Sequence, residues 1–239
     1  MNSPPPVHQH AAPRPGGRTS ARRGWRVAAR VAGLSAATLA VAIFGQHLLA
    51  RPDLSGFEPA ELGRVESAMW RNYYEGHWFR LGAQTMELAC GQYRFSWWDG
   101  ARIGTHTALA AAYFRKHTDD PRCLPELERY YRIIERAAPA RFDVNEAARL
   151  ELTWWTERRK NVPAQDYART IARLTALNYG IQEGDALPAA RLRAEAMAYR
   201  DARRDGRMME ADWTELTRQL RAAYAALHAK LKPRQETAP

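Results

Sequence analysis

The stretch PAELGRVESAMWRNYYEGHWFRL, residues 59–81, carries the pattern on which the fold depends. Its apolar residues recur every three or four positions, a spacing typical of one face of an α-helix and unusable by a β-strand: Leu62, Val65, Met69 and Tyr73, continued by Leu81 and Leu88. The spacing predicts a first helix from Pro59 to about Gln92, weakened at Gly76 and Gly82 because glycine is a poor helix former.

Five aromatic rings fall within residues 66–81: Trp70, Tyr73, Tyr74, Trp78 and Phe79. On a helix they span too wide an arc for a single seam, so this helix is expected to pack on two sides. Aromatic side chains bury a large area each, and a small domain rich in alanine needs such fillers. The pattern therefore favours a core role for these rings over a ligand site.

The remainder of the chain also has a helical pattern. Capping residues and prolines predict further helix starts near Asp99, Pro125, Asp143, Pro163, Asp185 with Pro188, and Asp212. No window alternates apolar and polar residues with β-branched enrichment, so no sheet is expected. Short connectors make neighbouring helices antiparallel. We predict an all-α fold of about six to seven helices, either a globular bundle or a short α-solenoid.

The positive charge is concentrated at the N-terminus. The formal net charge is +10, and residues 1–30 contribute six arginines with no acidic residue. Residues 51–239 hold thirty bases against all 26 acids, so their net charge is only +4. A nucleic-acid-binding surface is therefore not expected in the folded part.

An uncharged segment, VAGLSAATLAVAIFGQHLLA, follows the arginines at residues 31–50. As a helix it would be about 30 Å long, which matches the hydrocarbon core of a bilayer. The arginines on its N-terminal side predict that residues 1–30 stay in the cytoplasm and that the rest is exported. A cleaved signal peptide and a buried soluble helix are the alternatives. An apolar run of twenty residues ending in HLLA, with Leu48 where a small residue is preferred, favours an uncleaved anchor.

These patterns divide the chain into five segments. We expect a disordered basic cytoplasmic tail at residues 1–26, a transmembrane anchor at 27–50, a linker at 51–58, an α-helical extracytoplasmic domain at 59–231 and a frayed C-terminus at 232–239. The predicted location is the inner cell membrane, with a single span.

Polar residues on otherwise apolar helix faces are the candidate site. Glu66, Glu151 and Glu195 lie on such faces, and His77 and His106 share faces with aromatic or aliphatic residues. The candidate ligand-binding set is completed by three rings, Trp70, Tyr73 and Trp155. If these faces pack inward, carboxylates and imidazoles meet inside the bundle.

Three interpretations of this interior are open. Carboxylate-bridged metal sites use glutamates on facing helices together with a Glu-x-x-His pair, and no Glu in this chain has His at that spacing, so no metal is predicted. Abundant arginines nearby favour a structural network in which each carboxylate meets a guanidinium and a Tyr or Trp donor. The third interpretation is a polar pocket for a small molecule or a peptide.

Common catalytic and cofactor motifs are missing: nucleophile elbow, P-loop, dinucleotide fingerprint, zinc-finger spacing and HExxH. No cofactor is expected, and binding is favoured over catalysis. We predict a membrane-anchored helical protein that acts as an envelope scaffold or interaction component. The alternative is a ligand sensor or an enzyme that uses the interior Glu/His pocket.

Doubled tryptophans suggest where a partner binds. In Trp97–Trp98 and Trp154–Trp155, adjacent rings point in different directions, so that one ring of each pair is expected to be exposed. An exposed Trp on an exported domain indicates a protein partner or the membrane interface. The lipid bilayer is the other expected partner.

Overall fold

The structure is a computed structural model that describes residues 38, 41–42, 44–203 and 208–231. The chain separates into two units, Met1–Phe44 and Gly45–Pro239, and the account below concerns the second. In the described part of this unit the regular structure is helical and contains no strand. The all-α prediction is confirmed.

Eight α-helices make up the described domain. They are α1 (Pro59–Glu75), α2 (Trp78–Met86), α3 (Trp97–Lys116), α4 (Cys123–Ile134), α5 (Val144–Arg159), α6 (Ala164–Tyr179), α7 (Glu183–Asp201) and α8 (Glu210–His228). A π-helical turn, Glu87–Gln92, extends α2, and a 3-10 turn, Glu135–Ala137, extends α4.

The order of the helices in space is circular. Each helix packs against its neighbours in the sequence, and α8 packs against α1, which closes the array. The closing pair is antiparallel, because Arg221 near the end of α8 donates to the carbonyl oxygen of Ala60 at 3.0 Å while Arg71 pairs with Glu210 at the opposite end. The helices therefore form a closed bundle, and side chains from several of them meet in its interior.

The prediction of one helix from Pro59 to Gln92 is wrong. Gly76 adopts φ +76°, its amide donates to the carbonyl of Asn72, and the amide of His77 reaches the same carbonyl at 2.8 Å. A left-handed glycine with such bonds is a standard helix C-terminus. The glycine therefore ends α1, and α2 leaves in a new direction.

Helix starts follow side-chain capping. Asp143 accepts hydrogen bonds from the amides of Asn145 and Glu146, which confirms the predicted start of α5. For α3 the cap is Ser96, whose hydroxyl accepts from the amide of Asp99 at 3.1 Å. Asp99, the predicted cap, lies inside the first turn instead.

The linker predicted at residues 51–58 lies against one end of the bundle. The amide of Asp53 donates to the carbonyl oxygen of Tyr93 at 2.9 Å, and the amide of Leu54 donates to the carbonyl oxygen of Ala137 at 3.1 Å. Phe57 is buried, and its ring lies edge-to-face 5.9–6.3 Å from those of Tyr93, Tyr179 and Tyr224. The segment seals that end of the helical array.

Much of the predicted anchor at residues 27–50 lies outside the described residues, as do the tail at 1–26 and the C-terminus at 232–239. Residues 44–49 are helical. Of the helices that can be described, none combines the length and the apolar character needed to cross a bilayer.

Cysteines Cys90 and Cys123 are free thiols. The Cys123 thiol is buried and lies 3.5 Å from the carbonyl oxygen of Ala110, and that of Cys90 lies 3.7 Å from the carbonyl oxygen of Ser96. Burial raises the pKa of Cys123 to about 11, so this thiol is unreactive at neutral pH.

We predict that Gly63→Ala destabilises the fold by about 1–3 kcal/mol, because overpacking forces backbones apart. A Cβ at Gly63 would lie 2.6 Å from the backbone nitrogen and 2.8 Å from the Cα of Arg221, at the contact that closes the array. Urea denaturation measures the change.

Gly82→Ala is the matched control for this substitution. Gly82 lies inside α2 with no atom near its added Cβ, so alanine should stabilise the helix by about 0.5–1 kcal/mol. Equal effects of the two substitutions would contradict a close α1–α8 contact.

Candidate functional site

Glu66 forms the strongest polar contacts inside the bundle. The guanidinium of Arg193, on α7, donates through Nη2 to Oε1 at 2.5 Å, and the hydroxyl of Tyr224, on α8, donates to Oε2 at 2.5 Å. Both oxygens of a buried carboxylate are thereby satisfied. The predicted network of a carboxylate with a guanidinium and a ring donor is confirmed here.

Glu151, on α5, is satisfied without an arginine. Tyr131 donates to its Oε2 at 2.7 Å and the indole of Trp155 donates to its Oε1 at 2.8 Å. Each oxygen of Glu66 and Glu151 thus accepts one hydrogen bond from a protein donor, which holds both carboxylates in place.

Four tyrosines complete the polar interior. The hydroxyls of Tyr93 and Tyr179 lie 3.2 Å apart, and Tyr224 binds Glu66. Burial raises the pKa of Tyr130, and Glu151 and Tyr179 raise it further. We use the term interior cluster for these residues with their charged partners: Glu66, Tyr93, Tyr130, Glu151, Tyr179, Arg193 and Tyr224. Six helices and the π-helical segment contribute to it.

Burial and mutual interaction shift the pKa values of several members of the interior cluster. Burial raises the pKa of Tyr179 to about 12, and raises that of Tyr130, whose phenol also responds to Glu151, Tyr179, Arg193 and Glu66. Burial alone would lower the pKa of Arg193, but Glu66 and Tyr224 more than offset it and the pKa rises. Arg193 is therefore permanently charged.

The interior cluster retains contact with solvent. The side chain of Arg193 is 28 % exposed, whereas that of its partner Glu66 is 8 % exposed. The four tyrosines are partly exposed although burial dominates their titration. The cluster is therefore enclosed for the most part and reaches solvent only in part.

The two predicted histidines lie away from the interior cluster. His77 is exposed at the start of α2, with Nδ1 3.3 Å from Oδ1 of Asn72, so its placement on a buried face is wrong. The break at Gly76 removes it from that face. His106, on α3, pairs with Glu126 on α4 at 2.7 Å and is half-buried. The Glu/His pocket therefore contains glutamates but neither histidine.

Glu195 is also wrongly predicted as an interior residue. It is exposed and lies in an open surface depression of about 470 Å³ that is also lined by Pro163, Ala164, Gln165 and Arg191. The buried face of α7 consists of alanines and Met197, and Arg193 is the polar residue that points inward to Glu66. The helical spacing had predicted that Glu195 faces the interior, whereas Arg193 is the residue that does so.

The remaining aromatic candidates pack within the bundle or at its edge. Trp155 binds Glu151 and stacks edge-to-face on Phe114 at 5.4 Å, while Trp70 packs on the core with the guanidinium of Arg158 at 5.9 Å. Tyr73 is half-buried against Tyr74. Whether these residues bind a ligand stays a prediction.

The expectation that all rings of residues 66–81 fill the core is wrong for three of them. Tyr74, Trp78 and Phe79 are exposed, and Phe79 is 97 % exposed. Trp78 and Phe79 follow the break at Gly76, whereas Tyr74 lies before it on α1 and its ring contacts the guanidinium of Arg200.

The tryptophan pairs also differ from the expectation of one exposed ring each. Trp97 and Trp98 are both exposed, at 57 % and 56 %, whereas Trp154 is buried and Trp155 is half-buried. The pair at 97–98 begins α3 at the end of the bundle, while the pair at 154–155 lies within α5 and faces its neighbours. Trp154 is therefore not available to a partner in this structure, while a partner contact through the half-buried Trp155 stays a prediction.

Sequence reasoning placed Arg193 among five arginines near the acids without singling it out, and it missed all four tyrosines of the interior cluster. Tyrosines and arginines are frequent throughout this chain, so neither residue type distinguishes the interior positions. The position of Tyr179 could have indicated its role. It is the last residue of α6, directly before the capping Gly180, and it therefore lies at the sealed end of the bundle.

Within the described residues, no three His, Cys, Asp or Glu side chains form a group that could hold a metal ion. Comparison with known proteins adds no assignment, because no family model, no curated protein and no solved structure matches the chain. Function is therefore inferred from the chemistry of the side chains alone.

We predict that Glu66→Gln lowers the free energy of unfolding by about 2–3 kcal/mol. The substitution leaves the guanidinium of Arg193 without its counter-charge in a largely enclosed site, and breaking such a pair is costly. Thermal and urea denaturation measure the loss.

Glu195→Gln tests whether the effect depends on position, since it makes the same chemical change at an exposed site. Its effect should stay within about 0.5 kcal/mol. A loss at Glu195 as large as that at Glu66 would contradict the assigned positions.

Proposed function

We propose that the chain is a single-pass membrane-anchored helical protein that acts by binding, as an interaction component of the cell envelope. Three features support the proposal: the apolar segment with its arginine-rich flank, the way the end of that segment is attached to α3, and two exposed aromatic surfaces. The attachment to α3 is the observation that carries it.

The end of the apolar segment is tied to the N-terminus of α3 by its two strongly polar residues. Oε1 of Gln46 accepts a hydrogen bond from the amide of Trp97 at 3.0 Å, and Nδ1 of His47 lies 2.8 Å from the hydroxyl of Ser96. The same nitrogen lies 3.4 Å from Oδ2 of Asp99. Residues 46 and 47 thus cap the first turn of α3, where unpaired amides and the helix dipole favour polar partners.

This attachment brings an exposed aromatic pair to the end of the apolar segment. Trp97 and Trp98 follow directly on the capped turn, and Leu48 and Leu49 beside it are exposed as well. Tryptophan is enriched where a membrane protein meets the headgroups, because its ring is amphipathic. We call Trp97 and Trp98 the basal pair and propose that it rests at the membrane interface.

A second aromatic surface lies at the other end of α1. The chain enters α1 beside the π-helical turn, where the amide of Glu58 donates to Oε1 of Gln92, and α1 then extends about 25 Å before Gly76 ends it. Trp78 and Phe79, the distal pair, begin α2 there and are 55 % and 97 % exposed. Large exposed aromatic rings mark protein-binding sites, so we propose that this pair binds a protein partner.

Ligand sensing is the second candidate function, and the partly exposed guanidinium of Arg193 in the interior cluster favours it. An enzyme that uses an interior Glu/His pair gains no such support, because His77 and His106 lie outside the interior cluster.

The basal pair can be tested with the full-length chain in bilayers that contain lipids brominated near the headgroup. Trp97→Phe combined with Trp98→Phe should reduce the quenching of tryptophan fluorescence, because rings at the interface lie within reach of the bromine atoms. Trp78→Phe is the control, since it removes an equally exposed ring at the far end of α1. Equal loss of quenching from both changes would contradict the proposed orientation.

The distal pair can be tested by cross-linking in native membranes followed by purification of the chain. Phe79→Ser should reduce the recovery of a specific partner, because the substitution removes the most exposed aromatic ring of the described residues. Trp97→Phe with Trp98→Phe should leave that recovery unchanged. Partner recovery that is insensitive to Phe79→Ser would contradict this part of the proposal.

A further inference from the structure

The outward face of α3 exposes uncharged side chains along most of the helix. On the opposite face Ile103 and Ala110 are buried in the core, which fixes the rotation of α3 in the bundle. Leu109 lies at the edge of the outward face and is 38 % exposed. Four residues along the middle of that face, which we call the α3 seam, are exposed as well: Ala101, Thr105, Ala108 and Ala112.

The α3 seam has the spacing of a contact between two helices. Its residues follow one another at intervals of four, three and four positions, and Trp98 extends the pattern by three positions towards the N-terminus. Alternating intervals of three and four keep side chains on a line that faces a second helix, as in a coiled coil. Alanines on this line let the second helix approach closely, because the distance between helix axes depends on the side chains at the contact.

The one hydroxyl of the α3 seam is already hydrogen-bonded within the helix. Oγ1 of Thr105 donates to the carbonyl oxygen of Ala101 at 2.8 Å. Burying a hydroxyl is costly only when it loses its hydrogen bond. A second helix can therefore cover the α3 seam without leaving a polar side chain unpaired.

The charges of the domain favour a second copy of the chain as the occupant of the α3 seam. Along α3, which the structure describes in full, the charged side chains before Arg115 are buried or lie beside the seam. Other helices expose arginines on their outward faces, namely Arg132, Arg149, Arg173, Arg191 and Arg218. Residues 51–239 carry a net charge of +4, so two copies repel each other through these faces, to which an acidic partner would be attracted. Two copies meet with least repulsion at the α3 seam.

The attachment of the apolar segment determines the direction in which two copies meet. Gln46 and His47 hold the end of that segment against Trp97 and Ser96, at the N-terminus of α3. Two copies anchored in the same bilayer therefore present their seams in parallel. A two-fold axis along the membrane normal then brings each seam residue opposite the same residue of the second copy.

The residues that flank the α3 seam suit a parallel pair. In such a pair the residues on one flank face the opposite flank of the second copy. One flank carries Arg102, whose guanidinium lies 3.5 Å from Oδ1 of Asp99. The opposite flank is uncharged, because it consists of Trp97, Gly104 and Ala111. No like charges are brought together.

We propose that two copies of the chain form a parallel dimer in the membrane through their α3 seams. The inference rests on the proposed membrane anchor. The α3 seam extends only about 17 Å from Ala101 to Ala112, and so small a contact depends on the high effective concentration of two chains confined to one membrane. The basal pairs of both copies then lie side by side at the headgroups.

Disulfide cross-linking of the full-length chain in native membranes tests the dimer. Thr105→Cys places a thiol in the α3 seam, where the two-fold axis brings equivalent Cα atoms within the roughly 7 Å that a disulfide requires. Thr153→Cys is the matched control, because Thr153 is also an exposed helical threonine whose hydroxyl donates to the carbonyl oxygen four residues earlier, at 2.7 Å. With a mild oxidant, Thr105→Cys should form covalent dimer at least about tenfold faster than Thr153→Cys. The unsubstituted chain, with its free Cys90 and Cys123, gives the background.

Ala108→Arg combined with Thr105→Cys tests whether the cross-link depends on packing along the α3 seam. The two added charges meet across the two-fold axis, so the yield of covalent dimer should fall at least about fivefold. Ala108 is exposed, so the thermal midpoint should stay unchanged. Ala225→Arg makes the same change at an exposed alanine of α8 and should leave the yield unchanged.

Alkaline carbonate extraction of the same membranes separates failure of the dimer from failure of the anchor. A chain that resists extraction but cross-links no faster through Thr105→Cys than through Thr153→Cys overturns the dimer and leaves the anchor in place. A disulfide adduct of another mass at Thr105→Cys shows that a different protein covers the α3 seam, which also overturns the dimer. A chain that carbonate releases overturns the anchor and, with it, the dimer in the proposed form.

Discussion

The contact between α1 and α8 is the constraint on which the rest of the structure depends. Gly63 allows the backbone of α8 to approach α1 at Arg221, and this approach brings the hydroxyl of Tyr224 to Glu66. The helices between them follow one another around the array, so that the first and last elements must meet for it to close. Closure is what converts a row of antiparallel helices into a fold with an interior.

The interior is polar because closure brings one side chain from each of several helices to the same place. The two carboxylates are fully paired, which makes them structural members of the network, whereas Arg193 keeps unused donors and partial access to solvent. Every carboxylate oxygen of Glu66 and Glu151 accepts a hydrogen bond, whereas Nε of Arg193 has no partner. A buried donor without a partner lowers stability, so this arrangement is unusual for a purely structural core.

The two ends of the bundle expose different aromatic pairs, and local features of the sequence explain each of them. At one end the strap of residues 51–58 and the capped start of α3 hold the chain close, and Trp97 and Trp98 project from it. At the other end Gly76 turns the chain outward and leaves Trp78 and Phe79 in solvent. One glycine in a left-handed conformation thus converts rings that a continuous helix would bury into an exposed surface.

The sequence by itself determined the fold class, the helical spacing and the local starts and stops, because caps such as Asp143 act over one turn of chain. It also identified Glu66 and Glu151 as interior acids from their apolar neighbours. Only the tertiary structure decided that Glu195 faces solvent, that Arg193 and four tyrosines face inward, and that both histidines lie elsewhere. Those choices depend on the rotation of each helix within a closed array, and that rotation is fixed by contacts between residues more than a hundred positions apart, such as Glu66 with Arg193.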